Sequence, residues 1–255
     1  MSQSQEPAID LSIIIPAYNE ARALPVAIEV VAGYLDDRRL IGEVIVVDDG
    51  SCDDTRAIAE AAAEREDRVR LEGYERNRGK GHAVRHGVRA ARGEAIVFLD
   101  ADLATPVEEI DRALAAIADG ADVVVGTRFH AEAEIERPQP WLRRFMGGGF
   151  RWLAKATLGL SASDITCGFK GFTAEAARAI FSRSTIDGWA FDAELLVIAR
   201  RLGLRVVEVP VRWSDSRDSR VRPLANAIES WRQLMQIRRR LREGAYDPGR
   251  ETMAE

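Results

Sequence analysis

The sequence predicts an α/β fold in which a mainly parallel, twisted sheet is covered by helices on both faces. Two observations lead to this prediction. Short runs rich in Val and Ile alternate with longer stretches whose apolar residues recur at helical spacing. Such alternation is typical of strands joined by crossover helices. With 46% hydrophobic and 30% charged residues among 255, the composition is that of a globular protein.

In the first half, the predicted elements follow one another as strand and helix. Strands are expected at 11–16, 43–48, 68–72, 95–100 and 122–126. Helices are expected at 21–35, 54–66, 81–91 and 106–118, and Thr105 followed by Pro106 is a typical start for the last of them. Ligands of such sheets bind beyond the carboxyl ends of the strands, so the functional site is expected at that edge.

The second half is less regular and is expected to complete the same single domain, 1–243. Helices are predicted at 140–155, interrupted at Gly147-Gly148-Gly149, and at 174–181, 192–202 and 224–241. One strand is predicted at 205–213. Residues 1–8 and 244–255 are expected to be frayed tails.

Charge and composition exclude several classes of protein. The formal net charge of −5 argues against a nucleic-acid binder. No stretch longer than nine residues (11–19) lacks a charged side chain, so no membrane-spanning helix is expected, and no basic segment before an apolar run marks a secretory signal. Two cysteines, Cys52 and Cys167, are too few for a disulfide framework, and a reducing, cytoplasmic location is expected.

Acidic and polar side chains follow three of the predicted strands. The strand ends read Pro16-Ala17-Tyr18-Asn19-Glu20, Asp48-Asp49-Gly50-Ser51 and Asp100-Ala101-Asp102. A Rossmann dinucleotide site is excluded because the first turn has no glycine, and a P-loop is excluded because Gly79-Lys80-Gly81 lacks the following Ser or Thr. Asp100 and Asp102 are the pair expected to share Mg²⁺ or Mn²⁺ with a diphosphate.

The strand-end motifs are accompanied by further motifs along the chain. These are Asn77-x-Gly-Lys-Gly-x-Ala83, Gly126-Thr127-Arg128, Asp164-x-x-Cys-Gly-Phe-Lys170, Trp189-Ala-Phe-Asp-x-Glu-Leu195, Glu208-Val-Pro-Val-x-Trp213 and Ser219-Arg220. Together they resemble the GT-A glycosyltransferases of family 2. The second-half motifs are similar to those of dolichyl- or polyprenyl-phosphate hexose synthases, above all dolichyl-phosphate β-glucosyltransferases. The resemblance covers about residues 11–240.

The resemblance implies a role for each motif and divides the domain into a nucleotide-binding half, 9–128, and an acceptor- or lipid-facing half, 129–243. It assigns the nucleotide-sugar site to Pro16, Tyr18, Glu20, Val47, Asp49, Lys80 and Ala101. For Lys80, simple solvation of a loop stays open. The implied catalytic residues are Asp100 and Asp102, which would hold the metal and diphosphate, and Arg128 and Lys170, which would gather phosphate charge. The implied acceptor-phosphate residues are Arg143, Arg144 and Arg220.

The residues leave the acceptor and the base open. An alcohol acceptor needs a general base, and Asp192 and Glu194 are the candidates unless they only cap the start of their helix. A lipid monophosphate needs no base, because its second pKa is about 6. The second half offers guanidinium groups rather than an obvious base, which favours the lipid phosphate.

The choice of donor depends on one departure from the resemblance. The mannosyl branch has a Gln as an additional metal ligand where this chain has Ala104. That difference favours UDP-glucose over GDP-mannose.

A membrane surface is the expected setting. Residues 216–243 hold eight Arg against three acidic residues, a local charge of +5. The final helix carries an apolar face beside these charges, and an aromatic group flanked by arginines lies at 141–152. For both segments, core packing and membrane contact stay open.

The leading hypothesis is a peripheral enzyme on the cytoplasmic face of a membrane that moves a hexose from a nucleotide sugar to polyprenyl or dolichyl phosphate. The alternatives are the same donor chemistry on a soluble or glycan acceptor, and a non-catalytic sugar-nucleotide sensor. A separate membrane protein or a second copy of the chain stays open as a further partner.

Overall fold

A computed structural model describes residues 8–137, 141–215 and 223–249. Within these ranges the strands are β1 (Leu11–Ala17), β2 (Gly42–Asp49), β3 (Val69–Tyr74), β4 (Ala95–Phe98), β5 (Val123–Thr127), β6 (Glu134–Arg137), β7 (Lys170–Thr173), β8 (Val206–Pro210) and β9 (Arg212–Ser214). The helices are α1 (Leu24–Arg38), α2 (Thr55–Arg65), α3 (Lys80–Ala90), α4 (Glu109–Ala118), α5 (Trp141–Leu158), α6 (Ala174–Phe181), α7 (Phe191–Arg201) and α8 (Pro223–Arg242).

Seven strands form the central sheet in the order β3-β2-β1-β4-β7-β5-β8. All neighbouring pairs are parallel except those of β7, which runs antiparallel to both β4 and β5. The carboxyl ends of β1, β2, β4 and β5 therefore lie at one edge together with the start of β7. This mostly parallel sheet confirms the predicted fold class.

Alternate residues of the strands face two layers of helices. Ile14, Ile45 and Phe98 belong to a core that includes α3, α6 and α7. Ile13 and Val44 belong to a second core that includes α1, α2 and α4. Because the sheet is buried on both faces, only its ends and loops are available for a ligand.

The strands and helices predicted for the first half are all present, with boundaries shifted by a few residues. In the second half, α5 continues through Gly147-Gly148-Gly149, so the predicted break is wrong. Each helical glycine costs about 1 kcal/mol relative to Ala, whereas burial of Ala154 and Leu158 stabilises this helix against the core.

Three other expectations for the second half differ from the structure. The strand predicted at 205–213 is two strands, because Pro210 ends β8 and β9 then pairs with β6 in a separate two-stranded sheet. The sequence does not predict β7, a four-residue strand that contains Gly171. Residues 244–249 are not a frayed tail, because the ring of Tyr246 is fully buried in the core.

None of the helices in the described ranges is both long enough and apolar enough to span a membrane.

Candidate active site

The acidic pair lies in a tight turn just beyond β4. Leu103 N donates to Asp100 O at 3.0 Å, and Leu103 has a positive φ of 48°. Ala104 N donates to Asp102 Oδ1 at 3.1 Å. Ala101 is buried between the two acids, whereas the Asp100 side chain is 39% exposed and Asp102 is exposed. The turn therefore presents both carboxylates at the carboxyl edge of the sheet.

Lys80, the first residue of α3, forms an ion pair with Asp100. Desolvation lowers the pKa of Lys80, but the nearby carboxylates of Asp100, Asp192 and Asp102 outweigh that effect and raise it above the ordinary value. Lys80 is therefore a permanent cation beside the acidic pair. The ion pair with Asp100 shows that Lys80 does not simply solvate a loop, and its role at the donor stays a prediction.

Gly168 explains how the loop before β7 approaches the acidic pair. A Cβ atom at this position would overlap the carboxylate of Asp100. The preceding Cys167 is fully buried, and burial raises the pKa of its thiol to about 11. Only glycine permits this close approach, and the neighbouring thiol stays protonated and unreactive at neutral pH.

Asp100 and Asp102 fit a divalent cation of the Mg²⁺ or Mn²⁺ type. Carboxylate oxygens are the ligands that these hard ions prefer, and one or two protein carboxylates suffice when a diphosphate supplies the others. The ion pair with Lys80 engages Oδ1 of Asp100, so Oδ2 of Asp100 and the carboxylate of exposed Asp102 are the oxygens that would bind the metal. The described residues contain no group of three or more His, Cys, Asp and Glu side chains arranged to hold a metal.

The loops after β1 and β2 are tied together by hydrogen bonds. Asn19 N donates to Ser51 Oγ at 2.9 Å, Cys52 N donates to Asn19 Oδ1 at 2.7 Å, and Glu20 N donates to Thr55 Oγ1 at 2.8 Å. These bonds hold the first of the predicted nucleoside loops rigidly against the second. They also explain the left-handed backbone of Asn19, whose φ is 56°.

The predicted nucleoside residues differ in how far they are available to a ligand. Tyr18 is exposed, and Pro16 and Glu20 are half-buried. The side chain of Val47 is fully buried in the core, so only its backbone can face a ligand. Asp49 is also buried.

Asp49 organises the loop that follows β3. Its carboxylate accepts hydrogen bonds from Tyr74 Oη at 2.8 Å, Asn77 Nδ2 at 2.9 Å, Arg78 N at 2.8 Å and Gly79 N at 2.9 Å. With these bonds made, Asp49 holds the chain at the N-terminus of α3. The structure thus gives this residue a supporting position, whereas the resemblance implies direct contact with the nucleoside.

Arg128, directly after β5, is paired with a buried carboxylate. Its Nε and Nη2 atoms donate to Asp164 Oδ2 and Oδ1 at 2.7 and 2.9 Å. Burial alone would raise the pKa of Asp164, but the hydrogen bonds and charge of Arg128 hold it below the ordinary value. The N–H groups of Nη1 take no part in this pair, so Arg128 keeps donors for a phosphate.

Glu208 of β8 positions Asp164. Its Oε1 atom accepts hydrogen bonds from Ser163 N at 2.7 Å, Ser163 Oγ at 2.6 Å and Asp164 N at 3.2 Å. Ser163 Oγ also lies 2.6 Å from Thr127 Oγ1, beside Arg128. Three motifs that are far apart in the sequence therefore form one network behind Arg128.

Lys170 is fully buried, and its ammonium group makes three contacts within the protein. Nζ donates to Cys167 O at 2.8 Å, Ile165 O at 3.3 Å and Asp192 Oδ1 at 2.5 Å. An ammonium has three N–H donors, and these contacts use all of them. The implied role in gathering phosphate charge is wrong for this geometry, in which Lys170 anchors the loop at 165–167.

The two candidate bases are both held inside the protein. Asp192 is buried against Lys170, and burial raises its pKa while the charges of Lys170 and Lys80 oppose that shift. Glu194 accepts hydrogen bonds from Thr185 N at 2.8 Å, Ile186 N at 2.8 Å, Thr185 Oγ1 at 3.0 Å and Tyr246 Oη at 2.7 Å. Glu194 thus fastens the segment at 185–186 instead of facing a substrate.

The acceptor-phosphate prediction lies mostly outside what is described. Arg143 and Arg144 belong to the first turn of α5, where the backbone but not these side chains is described. Arg220 lies outside the described residues.

Comparison with known proteins decides the family. The model of glycosyl transferase family 2 matches residues 12–181. The chain belongs to glycosyl transferase family 2. It is 38% identical to the dolichyl-phosphate beta-glucosyltransferase of Mus musculus and 35% identical to that of Homo sapiens, in each case over 94% of this chain and 78% of the relative.

Solved structures show the same GT-A fold. Glucosyl-3-phosphoglycerate synthase from Mycobacterium tuberculosis, in complex with UDP, matches with a TM-score of 0.63 at 23% identity, over 90% of this chain and 80% of that one. The same enzyme with Mn²⁺, UDP-glucose and phosphoglyceric acid matches with a TM-score of 0.64 at 22% identity, over 94% and 81%. The predicted GT-A architecture of this family 2 member is thereby confirmed.

Several residues that support this family 2 site have no role in the sequence-based prediction. Asp187 O accepts hydrogen bonds from Gly81 N at 2.7 Å and His82 N at 3.3 Å, and so caps the helix that carries Lys80. Gln233 of α8 accepts a hydrogen bond from Ala190 N at 3.1 Å. Asp164 and Glu208 were visible within motifs, whereas no local pattern distinguishes Gln233 from other residues of an amphipathic helix.

Glu194→Gln is expected to lower the free energy of unfolding by about 1–3 kcal/mol, because an amide N–H₂ group would face the buried backbone N–H donors. Turnover per folded molecule should fall far less than the roughly 10²- to 10⁴-fold loss of a general base. Urea unfolding and steady-state kinetics measure the two effects, with Glu64→Gln on the exposed side of α2 as the control. A loss above about 10²-fold in folded Glu194→Gln would restore the role of base.

Proposed function

We propose that this chain transfers glucose from UDP-glucose to dolichyl or polyprenyl phosphate, with inversion at the anomeric carbon. The names and the coverage of the curated relatives support this activity. The strongest support from the structure is the arrangement of charged residues in the site. Both candidate bases are engaged in buried contacts, while the cations Lys80 and Arg128 lie at the carboxyl edge with the acidic pair. Such a site suits an acceptor that arrives already ionised.

On the donor side, the chain's residues would hold the diphosphate and balance its charge. The loops after β1 and β2 would enclose the nucleoside, with Tyr18 as the exposed ring. Asp100 and Asp102 would hold Mg²⁺ or Mn²⁺, which supplies Lewis-acid neutralisation of the diphosphate when bound. Lys80 orients Asp100 and adds a positive charge beside the leaving group.

On the acceptor side, a phosphate oxygen forms the new bond. That oxygen attacks the anomeric carbon, the bond from this carbon to the donor diphosphate breaks, and its electron pair leaves with UDP. Because a phosphate monoester has a second pKa of about 6, it needs no proton acceptor in the protein. Arg128, oriented by Asp164, would hold the attacking phosphate through the N–H groups outside that pair.

UDP-glucose is expected to be preferred over GDP-mannose and UDP-N-acetylglucosamine. Ala104 has no side-chain group to reach a metal, and its carbonyl accepts a hydrogen bond from Ser214 N at 2.9 Å. A competition assay with the three donors, each labelled in the sugar, measures transfer to lipid. Tighter binding and faster turnover of GDP-mannose would overturn the donor assignment and leave the lipid acceptor in place.

A membrane surface as partner is supported by exposed apolar side chains on two helices that pack together. Phe145 and Trp152 of α5 are 76% and 70% exposed, and Ile228 and Trp231 of α8 are 62% and 52% exposed. The opposite side of α8 buries Leu234 and Ile237 in the core. One face of α8 thus packs in the core, and another is exposed and available for lipid contact. We place the exposed faces of α5 and α8 on the cytoplasmic side of the membrane, because free thiols such as Cys52 and Cys167 persist in that compartment.

Trp152→Ala combined with Trp231→Ala is expected to abolish most sedimentation with vesicles of anionic lipid, because both rings would enter the interface. Arg238→Gln with Arg239→Gln should weaken it roughly 30-fold at low salt, at about 1 kcal/mol for each charge. Arg240 is left unchanged because it lies 5.5 Å from the ring of buried Tyr246. Val26→Ser with Val30→Ser, exposed on α1, is the control. Equal sedimentation of all variants would remove these helices from the membrane contact.

A further inference from the structure

Arg151 lies near the middle of α5 and its guanidinium is held against an aromatic ring. Its Cζ atom is 3.8 Å from the centroid of the Phe129 ring, and the side chain is half-buried. The Cζ atom of Arg128 lies 5.9 Å from the centroid of the same ring. The backbone of Phe129 is held by a hydrogen bond from its N to Thr127 Oγ1 at 3.2 Å. Two guanidinium groups are therefore brought together beside one ring at the end of β5.

The charge of Arg151 is not neutralised within the described parts of the chain. Asp164 accepts from Arg128 with both oxygens, and no described carboxylate or other acceptor lies within bonding distance of Arg151. Desolvation and the neighbouring charge of Arg128 lower the pKa of Arg151, against the opposing attraction of Asp164. Arg151 is therefore a half-buried guanidinium whose attracting carboxylate, Asp164, is already paired with Arg128, an arrangement that favours binding of an anion.

Arg151 lies on the acceptor side of the proposed reaction. Arg128 is close enough to Asp100 for the carboxylate to raise the pKa of its guanidinium. Lys80 instead contacts Asp100 from the side of α3, where the donor loops lie. An anion beside Arg151 would thus approach the acidic pair from the half of the domain opposite the nucleoside.

We propose that Arg151 binds the phosphate monoester of the acceptor together with Arg128, a role that rests on the proposed lipid-phosphate transfer. A planar guanidinium donates two parallel hydrogen bonds to a phosphate, and an arginine already stacked on a ring loses little freedom when it does so. Phe129 provides that ring and so positions Arg151. The ligand recognised is the charged monoester, and the isoprenyl chain would extend toward the exposed rings of α5.

Arg151→Gln tests the proposal in the full-length protein with a short isoprenyl monophosphate that is soluble in water and needs no vesicle. The KM for this acceptor should rise roughly 10- to 100-fold, as for loss of a charge-assisted hydrogen bond. The KM for UDP-glucose and the sedimentation with vesicles should stay within twofold. Arg151→Lys should recover part of the acceptor affinity, and Lys155→Gln, one turn further along α5, should leave it unchanged.

Three outcomes would overturn the role of Arg151. A raised KM for UDP-glucose alone would assign the arginine to the donor diphosphate. An unchanged KM for the soluble acceptor with weaker vesicle binding would assign it to a lipid headgroup. If Arg151→Gln has a lower melting temperature but unchanged kinetics, the stacking of Arg151 on Phe129 contributes only to stability.

Equilibrium binding separates failure of this proposal from failure of the proposed function. Calorimetric titration of the soluble monophosphate into the protein with UDP bound requires no turnover. If wild type binds the monophosphate and Arg151→Gln binds it at least tenfold more weakly, the site stands even when no lipid product is formed. Equal binding by wild type and Arg151→Gln overturns the site whatever the activity.

Discussion

Asp102→Asn is expected to lower turnover at least roughly 10²-fold, because the negative charge that develops on the leaving diphosphate would lose its main support. Asp102 is the exposed member of the acidic pair, and the ion pair of Lys80 is with Asp100. Asp100→Asn should have a smaller effect on metal binding because Asp100 already shares its charge with Lys80. Initial rates of transfer, measured across a titration of Mn²⁺, separate weaker metal binding from slower chemistry.

Asp67→Asn supplies the matched control for Asp102→Asn, since Asp67 is an exposed carboxylate in the loop before β3. It should retain wild-type turnover. Undiminished activity of folded Asp102→Asn, or full activity of the wild type in excess EDTA, would contradict the metal role of the acidic pair.

Lys170→Met is expected to destabilise the protein by about 3–5 kcal/mol, because it leaves the buried carboxylate of Asp192 without its partner. It also removes the hydrogen bonds to Ile165 O and Cys167 O, which hold the loop beside Asp100. Urea unfolding followed by circular dichroism measures the loss. A phosphate-binding lysine would instead leave stability unchanged and reduce turnover.

The double variant Lys170→Met with Asp192→Leu should recover much of that stability, because both charges leave the interior together. Lys155→Met replaces a half-buried lysine of α5, and its free energy of unfolding should stay within about 0.5 kcal/mol of the wild-type value. If the double variant is no more stable than Lys170→Met, the two residues are not coupled as the 2.5 Å contact indicates.

The acidic pair was predictable because the position of Asp100 and Asp102 follows from local rules alone. A Val- and Ile-rich run predicts β4, parallel strands end at a common edge, and an acidic turn directly follows. Lys80 could be placed at the same edge for a similar reason, since it directly precedes the helix predicted at 81–91 and is the first residue of α3. The local sequence pattern is therefore enough to predict the position of a side chain that lies directly next to the end of a predicted strand or helix.

Contacts over long sequence separations could not be predicted in this way. Glu194 accepts a hydrogen bond from Tyr246, which lies in a segment predicted to be a tail. In the sequence, Lys170 is a charged residue with no local sign of burial. In the structure, β7 inserts it between β4 and β5, where its ammonium contacts Asp192. The antiparallel strand has only four residues, so its pattern does not reveal that Lys170 is buried.

Arg151 shows the same limit in the other direction. Along the sequence it is one of several arginines that flank an aromatic helix, and nothing local separates it from Arg143 or Arg144. Its proximity to Phe129 and Arg128 depends on how α5 packs against the end of β5. A role at the acceptor could be proposed only once those distances were known.

The most direct test of direct attack by a lipid phosphate uses purified protein, UDP-glucose labelled in the sugar, and a divalent metal. Dolichyl phosphate and unphosphorylated dolichol are supplied in parallel, each in detergent, and labelled lipid is extracted. Labelled β-glucosyl phosphate lipid should form from dolichyl phosphate alone, with the rate following ionisation of a group of pKa about 6 on the acceptor. Transfer to dolichol at a comparable rate would contradict the account, because it would require a general base in the protein.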